Sequence, residues 1–517
     1  MSTRDPTLDG PGRGLEAAAP ASSYNVIVVG GGSAGAVLAR RLSDRVSRRV
    51  LLLEAGHAYG PWAYPPSIAS SDRVGDSTGV DWGYKTEPGW IGRPIGAIRG
   101  KVLGGSSAIN GAVAIRARPQ DLRNWNLPGW SFQDLLPAYR RLEESASEDA
   151  AVHGHEGPFP ARQMTRDDIT PMQNAFMDAA IATGFQVIDD FDGPDVNGVG
   201  PYPMNIANGV RMNTGMTYLS NAVRARPNLD IRPGELVDRV VFEKKRAIGV
   251  RLASGEVIGA GEVILSAGTY GSAAILLRSG VGPANELSAL GLGIVADLPV
   301  GRFLKDHPFF YNAYAAKPDR IGRQSPVIGA KVWTHSSSAE NGDEDLHITA
   351  THLFPHDQSP TGVGFVLAVA LTRPRSIGRL WIDTLDPAAP PRIDLAFLAD
   401  ENDRERLLEG IRIARRIART APLADLIATE LAPGRDAESD AAILESVKAT
   451  LDTYHHPTST CRMGAENDAG SVVGLDARVR GVTGLSVIDA SIFPDAISVA
   501  TNVTTIAIAE HLSGRLN

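Results

Sequence analysis

The sequence contains a single cysteine, Cys461, and no long uninterrupted apolar run. One thiol excludes an intrachain disulfide and gives no sign of an oxidising compartment. The longest apolar stretch, VGFVLAVALT, has the length of a strand and falls short of the ~18 apolar residues that suggest a membrane-spanning helix. We therefore expect a cytoplasmic protein with no membrane span.

Basic charge is also scarce, with 51 Lys and Arg against 59 Asp and Glu and a formal net charge of −8. A nucleic-acid partner would require a basic surface, so the composition argues against one. The first 22 residues lack the apolar segment of a secretory signal and are expected to form a disordered tail. The length of 517 residues exceeds what one core usually holds, which predicts two domains.

A strand, a glycine turn and a helix are predicted in YNVIVVGGGSAGAVLARRLSD. The turn contains Gly30-x-Gly32-x-x-Gly35, and a second strand, RRVLLLEAG, reaches Glu54. In a dinucleotide-binding unit the first glycine makes the turn, the second admits the pyrophosphate, and the third lets helix and strand pack. The helix N-terminus then faces the phosphates, and Glu54 can accept hydrogen bonds from ribose hydroxyls. The pattern predicts a dinucleotide site without distinguishing FAD from NAD.

The segment GGSAG also fits G-x-S-x-G, the nucleophile elbow of hydrolases. Ser33 would then be the nucleophile, with His456 as a distant base. The elbow normally follows earlier strands that supply the oxyanion hole, whereas here it follows the first strand. A hydrolase also leaves Gly30 and Glu54 unexplained, so the dinucleotide site is the preferred interpretation.

Other patterns predict strands, a long loop and a helix. Residues 229–266 alternate like strands with a turn at SGE, and residues 56–111 form a long irregular region of the kind that is usually functional. Between Asp403 and Ala421 apolar residues recur at helical spacing and form one stripe, and the arginines between them are expected on a solvated face.

No metal site is predicted. Pro355 separates His352 from His356, and the histidines at 153 and 155 have no thiolate nearby.

Ordered segments along residues 24–515 resemble the glucose-methanol-choline (GMC) family of FAD-dependent oxidoreductases. They include GKVLGGSSAING (100–111), RARPQDLRNW (116–125), GTYGSAAILLRSGVGP (268–283), HHPTSTCRMG (455–464) and GLSVIDASIFPDAISVATNVTTIAIAEH (484–511). The resemblance implies an α/β protein in which a Rossmann-like FAD-binding domain is interleaved with an α+β substrate domain built on an antiparallel sheet. The expected FAD domain comprises residues 23–158, 219–307 and 450–517, and the substrate domain comprises 159–218 and 308–449.

The resemblance also implies FAD as the cofactor. Ile109 stands where some members carry a histidine bonded to the flavin, so the FAD is expected to be noncovalent. The residues expected to bind it are Gly30, Gly32, Ser33, Gly35, Glu54, Gly104, Ser106, Asn110, Gly111, Val237, Asp489, Ala490, Asn502 and Thr504.

His456 and Asn502 match the family's catalytic positions beside the flavin. A neutral imidazole, with an ordinary pKa near ~6.5, can take the hydroxyl proton of an alcohol. Asn502 can hold the substrate oxygen, and the flavin carries the hydride chemistry. The resemblance implies oxidation of an alcohol to an aldehyde or ketone, with dioxygen or another electron carrier as acceptor. A hydroxynitrile lyase of the same fold is the alternative; the alcohol, the acceptor and the oligomeric state are left open.

A few positions depart from the family pattern. His455 stands where many members have an aromatic residue, and it either lines the pocket as a polar wall or packs. Ser459 replaces a usual glycine, Ala273 a usual proline, and Arg123 a commonly acidic or small polar residue. These departures concern the local backbone and leave the predicted chemistry unchanged.

Overall fold

The computed structural model describes residues 23–193, 196–340 and 342–516 of the chain. The expected disordered tail, residues 1–22, lies outside this part. Two seven-stranded sheets organise the described chain, and helices pack against both.

The first sheet is built on the predicted strand–turn–helix unit. Tyr24–Val29 pairs in parallel with Val50–Glu54 on one side and with Val257–Leu265 on the other. These strands are largely buried apolar runs, as parallel strands covered on both faces usually are. The remaining strands are Leu229–Pro233 and Leu485–Val487, which are parallel, and the antiparallel hairpin Val237–Glu243 and Arg246–Leu252. The predicted Rossmann-like sheet and the strands between 229 and 266 are confirmed.

The second sheet is antiparallel, as the resemblance implied. Its strands, in order, are Ile427–Ala432, Pro308–Ala316, Gly364–Leu371, Leu346–Thr351, Ile328–Thr334 and Gly198–Pro201, with Asp452–Thr453 paired to the start of Pro308–Ala316. Helix Glu401–Ala418 packs on one face, where a methyl group added to Gly410 would lie 2.7 Å from Val369. The opposite face is turned toward a cavity between the two sheets.

The helices follow local sequence signals. Thr170 caps Pro171–Ala182 by accepting from the backbone N–H of Gln173, and Asp400 caps Glu401–Ala418 in the same way through Asn402. The other helices of six or more residues are Ser33–Leu42, Pro119–Trp125, Phe132–Leu142, Gly268–Arg278, Ala284–Ala289, Asp440–Thr450 and Thr501–Ser513. Short helical turns are Pro66–Ala69, Gly75–Thr78, Gly105–Ala108, Thr214–Thr217, Asn221–Arg224, His356–Gln358, Leu423–Leu426 and Ala490–Ile492.

Two-residue and three-residue strands complete the described chain as separate pairs. They are Glu143–Glu144 with Phe159–Pro160, Arg162–Gln163 with Pro203–Met204, Ile206–Ala207 with Val210–Arg211, Val281–Gly282 with Ala296–Asp297, and Arg379–Trp381 with Arg392–Asp394.

The helix predicted from residue 403 onward is confirmed, but the prediction for its arginines is wrong at two positions. Arg406 and Arg415 are buried, at 5% and 7% exposed. Arg406 donates to Asp345 and Asp403 at 3.0 and 2.7 Å, and Arg415 pairs with Glu430 at 2.9 Å. Because each guanidinium has carboxylate partners from its surroundings, the charge is tolerated where sequence spacing alone suggested solvent.

The predicted domain boundaries stay a prediction. Asp452–Thr453 pairs with Pro308 and Phe309 across two of those boundaries, so the second sheet receives a strand from a segment expected in the FAD domain. This pairing brings the segment around His456 to the edge of the cavity.

Candidate active site

A cavity of about 920 Å³ lies between the two sheets, at the upper end of the volumes usual for ligand sites. One end is lined by the first glycine turn, the segment 98–113 and the start of helix Gly268–Arg278. The other end is lined by the second sheet and by residues 452–457. Segments that are hundreds of residues apart in sequence therefore share one site.

The glycine turn has the close contacts that its sequence predicts. Gly30 has a φ of +95°, and a Cβ on it would lie 2.5 Å from the carbonyl oxygen of Ser266. A Cβ on Gly35 would collide with the carbonyl of Gly30, so Gly35 serves helix–strand packing and lies outside the cavity lining. At Gly32 the nearest atom to an added Cβ is 3.7 Å away, and this glycine borders the cavity. The turn thus leaves room beside the N-terminus of helix Ser33–Leu42, where phosphate charge is favoured.

Glu54 lies in the cavity lining at the end of its strand. Its Oε2 accepts from the N–H of Gly31 at 2.8 Å, and its Oε1 accepts from the N–H of Gly56 at 2.7 Å. Burial raises the pKa of Glu54 to about 7. Each oxygen keeps acceptor capacity beyond these bonds, so the position fits a ribose ligand while also holding the glycine turn.

The second glycine loop meets the first one closely. A Cβ on Gly105 would lie 2.7 Å from the Cα of Gly32, which makes glycine necessary at this contact. Gly104 has a φ of +99° and packs against Asn213 outside the lining. The lining does include Ser106, Ile109, Asn110 and Gly111 from this loop and Val237 from the first sheet.

Asp489 connects the last signature segment to helix Gly268–Arg278. Its Oδ2 accepts from the N–H of Gly268 at 2.9 Å and from the hydroxyl of Ser272 at 2.6 Å, and its Oδ1 accepts from the N–H of Ser491 at 2.9 Å. Burial raises the pKa of Asp489. Asp489 and Ala490 both border the cavity.

Asn502 begins the last helix and faces the first one. Its Oδ1 accepts from Ser33 Oγ at 2.7 Å, while its Nδ2 is shielded from solvent and has no hydrogen-bond partner among the described residues. The amide N–H is therefore an unpaired donor at the edge of the cavity, and a buried unpaired donor is costly.

The Ser33 bond to Asn502 also decides against the hydrolase interpretation. A serine nucleophile needs a base to take its proton, and Ser33 Oγ donates to an amide oxygen instead. His456, the suggested base, is bonded to His307 and not to Ser33.

His456 is held by two neighbours in the segment LKDHP. Its backbone N–H donates to Asp306 Oδ1 at 2.8 Å, and its Nδ1 lies 3.1 Å from Nδ1 of His307. The two rings are nearly perpendicular, with centroids 5.2 Å apart. Removal from water lowers the pKa of His456 well below its usual value, and the neighbouring His307 lowers it further. The imidazole is consequently neutral at physiological pH, with Nε2 left for the cavity.

Thr504 is a third predicted cofactor residue, after Gly35 and Gly104, that does not border the cavity. It is fully buried, accepts from the N–H of Ala117 at 3.1 Å and bonds the hydroxyl of Tyr139 at 3.0 Å. It lies outside the cavity lining. Its hydroxyl connects the last helix to Ala117 and to Tyr139.

Two of the departures from the family pattern, His455 and Ser459, have a local explanation. His455 and Ser459 adopt left-handed backbone angles, with φ of +64° and +75°, so Ser459 takes the conformation that glycine would provide. His455 lines the cavity, and its Nδ1 has no partner among the described residues. This favours the polar-wall interpretation of His455 over simple packing.

Several residues in or beside the cavity could not be identified from the sequence. Asp306 and His307 contact His456 from outside the cavity lining, but they are separated from it by about 150 residues, and no local pattern links them. His347, Thr349 and Thr351 alternate on one strand and all border the cavity. The only sequence signal for them is an unexpected histidine within an otherwise strand-like run.

Within the described ranges, no group of three or more His, Cys, Asp or Glu side chains could hold a metal ion. No helix in the same ranges is long and apolar enough to cross a membrane. His352 and His153 were considered as metal ligands on the basis of the sequence. In the structure, His352 bonds Thr170 Oγ1 at 2.9 Å, and His153 lies between Glu143 and Asp190.

These features define an α/β dinucleotide-binding protein in which a second, antiparallel sheet covers one end of the cofactor cavity. Two family profiles described as GMC oxidoreductase match residues 24–309 and 374–509. An oxygen-dependent choline dehydrogenase of Photobacterium profundum is 34% identical, covering 95% of this chain and 92% of its own. An alcohol dehydrogenase [acceptor] of Pseudomonas putida is 32% identical, covering 94% of each chain.

A solved structure gives the same result for the fold. Pyridoxine 4-oxidase from Mesorbium loti superimposes with a TM-score of 0.87 at 30% identity, covering 95% of this chain and 99% of its own. The chain belongs to the GMC oxidoreductase family, and its cofactor is FAD.

Proposed function

We propose that this enzyme oxidises an alcohol to an aldehyde or ketone, with dioxygen or another electron carrier as the final acceptor. The observation that carries the proposal is the pair of His456 and Asn502 at the cavity, one with a neutral imidazole and the other with an unpaired amide N–H. The named choline and alcohol dehydrogenases among its relatives support the same reaction class.

The cavity suits FAD at one end. The glycine turn and the N-terminus of helix Ser33–Leu42 would hold the pyrophosphate, Glu54 the ribose, and the loop 105–111 with Ala490 the flavin. Bound FAD would supply the hydride acceptor. Ile109 offers no nucleophile for a covalent link, which supports noncovalent binding.

The contact between His307 and His456 sets which nitrogen can act as base. Only one of the two facing Nδ1 atoms can carry the shared hydrogen. If His456 Nδ1 carries it and donates to His307, Nε2 of His456 has the lone pair needed to accept the alcohol proton. His307 remains the acceptor of the same hydrogen bond when the proton is taken up, so it keeps the His456 ring in one orientation.

Asn502 positions the substrate oxygen. Its Oδ1 is occupied by Ser33, so the amide is oriented with Nδ2 available to donate to the hydroxyl or alkoxide oxygen. The alcohol carbon is then held between this donor and His456 in one orientation, which makes the reaction effectively unimolecular. Proton removal and hydride departure then occur from one fixed substrate position.

The test is anaerobic reduction of the purified holoenzyme by a panel of benzyl alcohol, furfuryl alcohol, 1-hexanol and choline, measured as bleaching of the flavin absorbance. We expect at least one alcohol to bleach the flavin. Admission of air then distinguishes an oxidase, which recovers colour and releases hydrogen peroxide, from a dehydrogenase, which recovers only with an added quinone.

A flavin that dithionite reduces but no alcohol in the panel reduces would contradict the proposal. The lyase alternative predicts a different result, namely cleavage of mandelonitrile with no change in flavin colour. Including mandelonitrile in the same assay therefore separates the two reactions.

A further inference from the structure

The peptide group between His455 and His456 is held from both sides. Arg99 Nη2 donates to the carbonyl oxygen of His455 at 2.7 Å, and the N–H of His456 donates to Asp306 Oδ1 at 2.8 Å. The carbonyl and the N–H belong to one planar group, so the two bonds together fix its orientation. The Cα of His456 lies in the same plane, and the direction of its side chain therefore depends on these contacts.

The two bonds differ in how well they are supported. Asp306 is 3% exposed and also accepts from the hydroxyl of Thr453 at 2.6 Å, which in turn accepts from the N–H of His455 at 2.8 Å. On the other side, Arg99 gives the only hydrogen bond that the carbonyl of His455 receives from the described residues. A cation on the oxygen and a carboxylate on the N–H make both bonds charge-assisted. Loss of Arg99 would release the carbonyl side while the N–H side stays bonded.

The turn at His455 requires such contacts. His455 has a φ of +64°, in the left-handed region that residues with a Cβ rarely adopt. Conformations of this kind persist where the surrounding structure enforces them. At His455 the enforcing contacts are the N–H bond to Thr453 and the carbonyl bond to Arg99. The turn that precedes His456 thus depends on an arginine 356 residues earlier in the chain.

Arg99 belongs to a hairpin, residues 81–100, whose two arms are joined by backbone hydrogen bonds. The side chain of Arg99 borders the cavity. A second arginine of the hairpin, Arg93, donates to the carbonyl oxygens of Lys448 and Leu451. The hairpin therefore holds the segment that leads to the catalytic histidine at two separate places.

We propose that Arg99 is a positioning residue for proton transfer, and that it orients His456 toward the alcohol by holding the carbonyl of His455. This inference rests on the proposed function, in which His456 is the general base. Arg99 acts through His456 and needs no contact with the substrate. Displacement of a reacting group by about 1 Å can cost ~10²-fold in rate, so the loss of this one contact should be measurable.

The test is stopped-flow reduction of the flavin under nitrogen, comparing the wild-type holoenzyme with Arg99→Met. We expect the limiting reduction rate to fall by about tenfold to a hundredfold. The half-saturating alcohol concentration should stay within about twofold of wild type, because the donor on Asn502 is unchanged. Arg99→Lys keeps a cationic donor without the planar fork and should recover part of the lost rate.

Lys85→Met is the matched control, since Lys85 is an exposed cation on the same hairpin. It should be reduced at the wild-type rate. Because Arg99 also borders the cofactor cavity, FAD content and reduction by dithionite are measured for every variant. Both should match the wild type, since dithionite reduces the flavin without a protein base.

An unchanged reduction rate in Arg99→Met, or equal slowing in Lys85→Met, would overturn the inference while leaving alcohol oxidation intact. Low FAD content with a normal rate in the remaining holoenzyme would overturn it too, because Arg99 would then be a cofactor ligand. If Arg99→Met does not fold, Arg99→Lys takes its place, and a rate equal to wild type counts against the proposal. Failure of every alcohol to reduce the wild-type flavin would overturn the proposed function itself.

Discussion

Among the single residues of the cavity, the histidines differ mainly in their hydrogen-bond partners. His456 is bonded through Nδ1 to His307, His455 lies in a left-handed turn, and His347 has two unpaired nitrogens. Removal from water lowers the pKa of all four, so they share a neutral state and differ in which nitrogen is available. The following substitutions test those differences.

His456→Ala should leave FAD bound but slow flavin reduction by alcohol by ~10²–10⁴-fold, the usual contribution of a positioned general base. Because the pKa of His456 lies well below 6.5, the wild-type reduction rate should be flat from pH 6 upward and fall only in more acidic solution. Stopped-flow reduction under nitrogen measures both effects.

His455→Ala is the neighbouring control for that experiment. Its ring lines the cavity, while its backbone carries the contacts to Arg99 and Thr453, so substrate preference should change more than the reduction rate. If His455→Ala were the crippled variant and His456→Ala reduced normally, the catalytic assignment would be wrong.

His307 is a positioning residue, and its loss should slow reduction between about tenfold and the full effect of His456→Ala. His307→Asn places an amide near the position of Nδ1 and should recover part of the rate, whereas His307→Leu should not. The pH profile supplies a second readout, because a reoriented His456 would titrate differently. Identical rates and pH profiles for His307→Leu and wild type would exclude this role.

At the scale of helices and strands, the elements that could be predicted were those with a local pattern. The strand before Gly30, the helix after it, the strands from 229 to 266 and the helix that begins at Glu401 each carry their own periodicity or turn chemistry. The burial of Arg406 and the contact of His307 with His456 could not be predicted, because both depend on segments distant in sequence. A lone sequence shows neither the carboxylates around an arginine nor the partner of a histidine.

The first and last helices are joined at both ends of their contact. Ser33 bonds Asn502 at one end, and at the other Glu510 accepts from Arg41 at 2.8 Å, from Arg141 at 2.8 Å and from the hydroxyl of Tyr218 at 2.9 Å. Glu510 is fully buried. This carboxylate therefore holds the helix that presents Asn502 to the cavity.

Glu510→Gln should lower the apparent free energy of unfolding by about 3 kcal/mol, because it removes the charge opposite two arginines in a buried setting. Glu256→Gln, in an exposed pair with Arg232, should change it by less than about 0.5 kcal/mol. Urea unfolding of the holoenzyme followed by circular dichroism gives both values. Equal effects of the two substitutions would show that Glu510 is not a structural anchor.

For the molecule as a whole, His153 makes a contribution to stability that depends on pH. Hydrogen bonds to Asp190 and Glu143 raise the pKa of His153 to about 10, against an ordinary 6.5 in the unfolded chain. The folded state binds the extra proton between these two values, so the stabilisation is complete below about pH 6.5 and is lost as pH rises toward 10.

The difference in melting temperature between wild type and His153→Gln should accordingly be largest at pH 6 and shrink by pH 9.5. Arg116, which pairs with Glu143 and Asp192, also faces this cluster. A difference that stayed constant from pH 6 to 9.5 would mean that His153 is neutral in the folded protein.

The order of strands in the first sheet matters while the chain is being synthesised. Tyr24–Val29 emerges from the ribosome long before Leu485–Val487 and the helix with Asn502. At ~5–20 residues per second, roughly half a minute to a minute and a half separates the two events. For that interval the nascent sheet has an open edge, which favours chaperone binding and misassociation. FAD can be enclosed only after the helix Thr501–Ser513 has been made, so the supply of flavin during expression should decide how much of the protein is rescued.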